Sequence, residues 1–388
     1  MRRELLIATG PGEWRAAWVE DGTPAELHVE RGDIQPAGSI HLGRVVRLAA
    51  GLDAALVDIG EERPGFLPVR GDPPNEGARV VVRIRRETQR GKGALLSARI
   101  DAAEAQRFAA GAATFDPPAR LFPARGFASA LAIRLPDRPD RVLVDDLGVL
   151  PEIRVAFPES EIAHAAAEDW PLDPEGLFES ALAPTVTLPH RGAIHIDEAR
   201  AAVLIDVDTG SPETGSAERS SRRANLAAAR TIGRQLRLRQ LGGGIVVDFA
   251  ALEGTRERER VRQALAAELT GDPARPRLLG WTRLGHLEIV RPRRLRPLSD
   301  AMLEAGGPRK NAATLAFEAL RRLGAEIRAN PSANWRLAAA PAVEAALRGP
   351  AAAALAALEC RVGRRIAIAR LVENDPGVCA APFDIAAV

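Results

Sequence analysis

The chain has 388 residues, of which 46% are hydrophobic, and a formal net charge of +2. This length predicts two or three domains with sizeable cores, and the composition excludes a disordered protein. No apolar run approaches the ~20 residues of a membrane span, and the N-terminus lacks the pattern of a signal peptide. We therefore expect a cytoplasmic protein without a membrane-bound part. Two cysteines without a CxxC pair exclude a disulfide scaffold and are expected to be core thiols.

The first hundred residues have the patterns of short β-strands. Residues 4–30 alternate apolar and polar positions around Pro-Gly and Asp-Gly pairs, which predicts strands joined by tight turns. Residues 38–99 contain five short strand-like segments separated by glycine, which is typical of a small barrel such as an OB-fold. Residues 100–136 are rich in Ala and Pro and show no clear pattern. A strand at 141–146 then opens an α/β unit.

Two later strand-like segments each run into aspartate. AAVLIDVDTG contains Asp206 and Asp208, and GGGIVVDF contains Asp248. The helical segment between them has the length that links two parallel strands of one sheet, which would bring Asp206 and Asp248 together. Such a pair suits Mg²⁺, which keeps its other coordination sites for water and phosphate oxygen. Aspartates at strand ends also cap helices or form turns, so a structural role stays open.

The helical segment between these strands carries an arginine stripe. Arg223, Arg230, Arg234 and Arg237 recur at i, i+7, i+11 and i+14, so they share one helix face. A stripe of one charge sign favours phosphate binding and therefore RNA. A solvated helix face and the arginine bias of a GC-rich genome are the alternatives.

The remaining part of the chain contains one more strand-like segment, then a linker, and then the elements of a small α/β unit. A strand is expected at 284–294 and a linker at 304–314. Helices at 315–325 and 342–358 and a strand at 364–371 follow.

Four of these segments resemble the ribonuclease E/G family. RQLRLRQLGGGIVVDF is similar to the signature that leads into the family's second catalytic aspartate, and AAVLIDVDTG is similar to the strand that carries the first. GSIHLGRVVRLAAGLDAALVDIGEERPGFLP resembles the family's RNA-binding OB-fold, and LGHLEIVRPRRLRPL resembles the segment that closes its catalytic subdomain. The resemblance covers most of residues 1–300.

The resemblance implies a magnesium-dependent endoribonuclease. It would cleave single-stranded RNA to 5′-phosphate and 3′-hydroxyl ends, in rRNA processing or mRNA decay. Asp206 and Asp248 match the family's metal-binding pair. Asp208 stands where well-known members have asparagine, so it either adds an oxygen to the metal or repels the phosphate.

The resemblance also implies residues along the RNA path. Phe66 matches a stacking aromatic of the OB-fold, whereas Leu56 replaces its partner aromatic and stacks less well. Lys92 and Arg275 match basic positions near the RNA. Together with the helix stripe, the candidate RNA-binding residues are Phe66, Lys92, Arg230, Arg234, Arg237 and Arg275.

The implied fold is α+β. It consists of a ribonuclease-H-like subdomain with an inserted OB-fold, a deoxyribonuclease-I-like catalytic subdomain and a small C-terminal α/β domain. The first subdomain would take residues 1–37 and 137–190, around the OB-fold at 38–100 and a reduced 5′-sensor region at 101–136. The catalytic subdomain would take 191–298, a linker 299–314 and the C-terminal domain 315–388.

Two parts of the family pattern are missing. The linker 299–314 contains no cysteine for the family's zinc link, and only residues 101–136 stand in place of its 5′-monophosphate sensor. We therefore expect no structural zinc and no zinc-linked tetramer, but a monomer or homodimer that cleaves without sensing the 5′ end.

Two other functions are compatible with the same residues. A non-catalytic RNA-binding protein that kept the fold is the first, and the acidic residues argue against it. A phosphodiesterase that acts on DNA is the second, and the OB-fold does not decide it, because both nucleic acids stack on aromatic side chains.

Overall fold

The computed structural model describes residues 2–32, 35–89, 91–123, 126–210, 217–252, 254–371 and 381–388. These residues form four β-sheets with α-helices packed against them, which confirms the predicted α+β class. None of the helices in these ranges is long and apolar enough to cross a membrane.

The chain begins with three antiparallel strands, and the predicted turn pairs fall in the two connections between them. The strands are β1 (Arg3–Ala8), β2 (Glu13–Glu20) and β3 (Thr23–Arg31).

A closed five-stranded barrel follows, which confirms the predicted OB-like barrel. Its strands are β4 (Ile40–Ala49), β5 (Ala54–Asp58), β6 (Gly65–Pro68), β7 (Arg79–Arg86) and β8 (Leu95–Ser97). The strand order is β4–β5–β6–β8–β7, and β7 pairs again with β4 to close the barrel. The interior is filled by side chains such as Val57, Val82 and Ile84.

The segment after the barrel, which shows no clear sequence pattern, is folded. It contains α1 (Ala102–Thr114), β9 (Ala119–Phe122) and α2 (Phe127–Ala132), and β9 extends the barrel by pairing with β4. None of the α1 residues is buried, so this helix contributes no side chain to a core. Asp101 caps α1 by accepting a hydrogen bond from the Glu104 backbone N–H.

The chain then returns to its first sheet. β10 (Arg141–Val144), α3 (Leu150–Ala156), β11 (Glu161–His164) and α4 (Pro174–Leu182) follow in order. β10 pairs in parallel with β1, which gives the sheet order β11–β10–β1–β2–β3. Residues before and after the barrel therefore share one sheet.

The third sheet carries the candidate site. Its strands are β12 (Thr185–Thr187), β13 (Ala193–Glu198), β14 (Ala202–Asp208), β15 (Gly243–Asp248), β16 (Arg277–Trp281) and β17 (Leu287–Arg291), in the order β12–β13–β14–β15–β17–β16. Helices α5 (Ala217–Leu238) and α6 (Gly254–Leu269) pack on one face, where Ile205, Val247, Ile232 and Leu265 join one core. β14, α5 and β15 form the predicted parallel crossover.

The C-terminal part confirms the helix predicted at 315–325 and the strand predicted at 364–371, but it differs from the expected linker and from the helix predicted at 342–358. Its elements are α7 (Leu298–Met302), α8 (Ala312–Ala329), β18 (Trp335–Ala339), α9 (Pro341–Arg348), α10 (Ala352–Val362), β19 (Ala367–Arg370) and β20 (Phe383–Ala387). The single helix predicted at 342–358 is wrong: it is interrupted at Gly349–Pro350, because proline lacks the N–H donor and disfavours helix before it. The expected linker is packed, since α7 buries Leu298 and Met302 against the first sheet.

The cysteine expectation is wrong for Cys360, which is exposed on α10. Cys379 lies outside the described residues.

Buried ion pairs connect these units. Glu13 of β2 binds Arg15, Arg31 and Arg321, and Arg321 belongs to α8 of the C-terminal unit. Arg134 binds Glu30 of β3 and Glu87 beside the barrel. Since removing one member of such a cluster leaves buried charge unbalanced, these contacts tie the C-terminal unit and the barrel to the first sheet.

Candidate active site

The two sequence-predicted aspartates lie side by side on the third sheet. Residues of β14 alternate between buried and exposed, so Val203, Ile205 and Val207 face the helices while Leu204, Asp206 and Asp208 face solvent. We call this second surface the open face. β14 and β15 run parallel with Asp206 directly opposite Asp248. The crossover therefore places two exposed carboxylates on neighbouring strands, which are ~4.8 Å apart in a sheet.

The strand registers extend this pair into a row. His195 of β13 lies opposite Asp206, and Thr185 of β12 lies opposite His195. On the other side, the register of β15 with β17 places His286, immediately before β17, beside Asp248. We call Thr185, His195, Asp206, Asp248 and His286 the cross-strand row.

Each histidine of the row has a polar neighbour within it. The His286 Nε2 lies 3.6 Å from the Asp248 Oδ2, with the His286 side chain 31% and the Asp248 side chain 59% exposed. The His195 Nδ1 lies 3.1 Å from the Thr185 hydroxyl oxygen. Sequence reasoning missed both histidines, although His195 alternates with the buried Ile194 and Ile196, which was a usable signal.

Asp208 lies on the open face, but its side chain hydrogen-bonds within the turn that follows β14. Its Oδ1 accepts a hydrogen bond of 2.8 Å from the Gly210 backbone N–H. Gly210 has φ +70, and a Cβ there would lie 2.1 Å from the Arg191 carbonyl oxygen, so only glycine fits. The structural alternative for a strand-end aspartate therefore applies to Asp208, while Asp206 and Asp248 have no such backbone bond among the described contacts.

The N-terminal part of α5 approaches the aspartate end of the sheet. The Asn225 side-chain amide donates to the Ala250 carbonyl, two residues after Asp248. Arg223, Arg230 and Arg234 are all exposed. Arg234 lies ~16 Å further along the helix axis than Arg223, at 1.5 Å per residue, and its Nε is 3.5 Å from the Glu268 Oε2. The stripe thus starts at the aspartate end of the sheet, on the helix-covered face opposite the open face, and leads away from that end.

The RNA contact of Arg237 stays a prediction, although this side chain is engaged by two glutamates in the structure. Its guanidinium makes hydrogen bonds of 2.7 and 2.8 Å to Glu20 and one of 2.8 Å to Glu26. With the side chain only 12% exposed, Arg237 joins α5 to β2 and β3. The 3.6-residue period identified the helix face but not the acidic strands packed against its C-terminal end.

The other candidate RNA-binding residues are distributed over two units. Phe66 is half-buried on the outside of the barrel, opposite Leu56, and Lys92 is exposed in the β7–β8 connection. Arg275 is exposed two residues before β16, whose first residue, Arg277, lies at the level of Val290 and Gly244. That is the end of the sheet opposite Asp248, so the structure does not bring Arg275 to the carboxylates.

The carboxylate pair suits an ion that needs few protein ligands. Within the described ranges, no three His, Cys, Asp or Glu side chains are grouped as a metal site. An ion held by Asp206 and Asp248 would therefore take its other ligands from water and phosphate, which is how Mg²⁺ is commonly bound.

Known proteins are similar to this chain in sequence. Residues 172–294, which include both aspartates and α5, match the sequence profile of the ribonuclease E/G family. The chain is 25% identical to ribonuclease G of Salmonella typhimurium strain SL1344 over 474 aligned positions, covering 95% of this chain and 97% of that protein. It is 24% identical to ribonuclease G of Escherichia coli strain K12 over the same shares. It is 27% identical to ribonuclease E of that strain, covering 76% of this chain and 37% of that protein.

Proposed function

Because the chain belongs to the ribonuclease E/G family, we propose that it is an endoribonuclease in which Asp206 and Asp248 hold Mg²⁺. The observation that carries the proposal is the pair of exposed carboxylates in register on two parallel strands. The substrate is single-stranded RNA, cleaved in rRNA processing or mRNA decay to 5′-phosphate and 3′-hydroxyl ends.

In the proposed reaction, the magnesium ion and the residues of the chain have different roles. Magnesium bound at this pair would offset charge on the phosphodiester and lower the pKa of a bound water. Asp206 and Asp248 fix its place on a rigid sheet, because both belong to strands with a buried opposite face. Arg223 and Arg230 supply positive charge along α5, which favours an approaching polyanion.

The barrel supplies the second part of the proposal. Phe66 offers a half-exposed aromatic ring for base stacking, and Lys92 offers an exposed charge for phosphate. The finer fold assignments belong here too. The order β11–β10–β1–β2–β3 supports a ribonuclease-H-like subdomain, and the sheet with helices on one face supports a deoxyribonuclease-I-like one.

The absence of zinc and of 5′-end sensing stays a prediction, as does a monomer or homodimer. Residues 299–314 contain no cysteine, which supports the first of these.

One experiment separates the proposal from its alternatives. The purified protein is incubated with a single-stranded RNA oligomer, or with the same sequence as DNA, in magnesium or in EDTA. We expect cleavage of RNA in magnesium only. Binding of RNA without cleavage would support a non-catalytic protein, and cleavage of the DNA would support a DNA phosphodiesterase.

Asp208 is expected to act through the turn. Asn can accept the same bond from the Gly210 N–H, so Asp208→Asn should retain cleavage within about twofold and the same magnesium requirement. Asp208→Ala removes the bond and should lower activity. A magnesium titration of both variants measures this, and a raised half-activity concentration for Asp208→Asn would instead identify Asp208 as a ligand.

Arg230 is expected to contact the RNA backbone. Arg230→Ala should weaken RNA binding and reduce the slope of log affinity against log salt by about one, since each phosphate contact releases counterions. Arg309→Ala is the matched control, because Arg309 is 83% exposed in the α7–α8 connection. Filter binding over a salt series measures the slopes, and equal slopes for wild type and Arg230→Ala would place α5 away from the RNA.

A further inference from the structure

We propose that His195 binds a phosphate oxygen of the RNA at the Asp206–Asp248 pair, with Thr185 as the positioning residue that orients its imidazole. The inference rests on the proposed function and adds two residues on the β13 side of the carboxylates.

Position is the first argument. His195 is directly opposite Asp206 in the antiparallel pairing of β13 with β14, so both side chains point to the open face. Neighbouring strands are ~4.8 Å apart, so a phosphate held at the carboxylate pair lies within reach of the imidazole. His195 is partly exposed, and β13 fixes it through the buried Ile194 and Ile196 on either side.

Orientation is the second argument. The Thr185 hydroxyl lies 3.1 Å from the His195 Nδ1. A neutral imidazole has one donor and one acceptor nitrogen. In the tautomer in which the hydroxyl donates to Nδ1, the Nε2 carries the hydrogen and can donate to a phosphate oxygen. The hydroxyl thus sets which ring nitrogen faces the substrate, without any change of charge.

Charge is the third argument. Around the carboxylate pair, the open face carries Asp206, Asp208, Asp248 and Glu288, which are side chains that repel phosphate. A phosphate at this face needs donors that are not already directed at a carboxylate.

The two histidines of the cross-strand row differ in this respect. The His286 Nε2 lies 3.6 Å from the Asp248 Oδ2 and so faces an acid. The polar neighbour of His195 is instead a hydroxyl, on its Nδ1 side. We therefore assign the phosphate contact to His195.

The test is single-turnover cleavage of a labelled single-stranded RNA oligomer by the full chain in saturating magnesium. Varying the enzyme concentration gives the half-saturating concentration and the maximal rate. His195→Ala should raise the half-saturating concentration roughly tenfold or more, the effect of losing one hydrogen bond to a charged group. The magnesium concentration for half-activity should not change. His195→Leu keeps much of the side-chain bulk but has no hydrogen-bond donor, so it gives the same test if the alanine variant unfolds.

Thr185 and an unrelated histidine provide the controls. Thr185→Val should reproduce part of the loss and Thr185→Ser should restore it, because only serine keeps the hydroxyl. His164→Ala, at an exposed position of β11, should behave as wild type.

The inference is overturned if the half-saturating concentrations of His195→Ala and wild type agree within about twofold. Such a difference is smaller than the contribution of one hydrogen bond to a charged group. The inference is also overturned if the variant needs more magnesium, since His195 would then act on the ion. A wild type that cleaves no RNA would instead overturn the proposed function itself.

Discussion

Asp206→Asn and Asp248→Asn are each expected to lower the RNA cleavage rate by roughly a hundredfold to a thousandfold, the loss seen when one charge-stabilising group is removed from an active site. Asparagine keeps the shape of the side chain but removes its charge, so the pair can no longer hold a divalent ion as tightly. RNA affinity should stay close to that of wild type, because Arg230 and the barrel are unchanged. Cleavage assays and RNA binding on the same preparations measure both effects.

The matched control is Asp197→Asn. Asp197 is an exposed aspartate of the same open face, opposite Leu204 and therefore outside the cross-strand row. Its variant should cleave as fast as wild type. Full activity of either Asp206→Asn or Asp248→Asn would refute the two-carboxylate mechanism.

A magnesium titration adds a second readout. Loss of one carboxylate should raise the magnesium concentration for any residual activity, since each ligand contributes to ion affinity. A fall in rate with an unchanged magnesium requirement would mean that the carboxylate acts on the substrate and not on the ion.

The candidate site was predictable where local pattern and topology agree. Asp206 and Asp248 each end an apolar run, and one helix between two such runs implies parallel neighbours, so their proximity followed from chain order. His195 and His286 were not found, because their place in the row depends on strand registers on both sides. A register is set by turns and packing between strands, which one-dimensional periodicity does not contain.

The fold was predictable for the same physical reason. The predictions fail where contacts between residues far apart in the chain determine the structure. The barrel strands alternate around a core and were recognised. Helix α1, which has no buried residue, lies in an Ala- and Pro-rich segment for which the sequence predicts no element. Arg237 belongs to the arginine stripe by sequence, yet Glu20 and Glu26, more than 200 positions away, bind its guanidinium. Pairing of charges across units is a property of the tertiary structure alone.

Glu13 illustrates how much a buried cluster of ion pairs between units should contribute to the stability of the fold. It is 1% exposed and contacts Arg15 at 2.9 Å, Arg31 at 2.5 Å, and Arg321. Burial alone would raise the pKa of Glu13, but the charges of Arg31, Arg15 and Arg321 outweigh it and lower the pKa from 4.5 to about 2. Burial and the charge of Arg15 lower the pKa of Arg321, yet arginine stays protonated at neutral pH, so the cluster remains charged.

The lowered pKa of Glu13 has a defined consequence for acid stability. Between pH 4.5 and about 2, the unfolded chain binds a proton at Glu13 that the folded protein does not. This contribution to the free energy of unfolding is therefore complete above pH 4.5 and is lost as the pH falls towards 2. At 1.36 kcal/mol per pKa unit it amounts to about 3 kcal/mol.

Glu13→Gln is accordingly expected to lower the free energy of unfolding by about 3 to 5 kcal/mol at neutral pH, because three buried arginines lose their counter-charge. Since Arg321 lies on α8, the loss should loosen the C-terminal unit from the first sheet. Urea unfolding followed by the fluorescence of Trp14 and Trp18, on the same strand as Glu13, measures the change near neutral pH and near pH 3. The variant should lose less stability than wild type between these two conditions, because it lacks the titrating carboxylate.

Glu161→Gln is the matched control. The Glu161 side chain is 68% exposed on β11 of the same sheet, and an exposed ion pair contributes at most about 1 kcal/mol. If Glu13→Gln and Glu161→Gln unfold at the same urea concentration, the buried cluster does not hold the two units together.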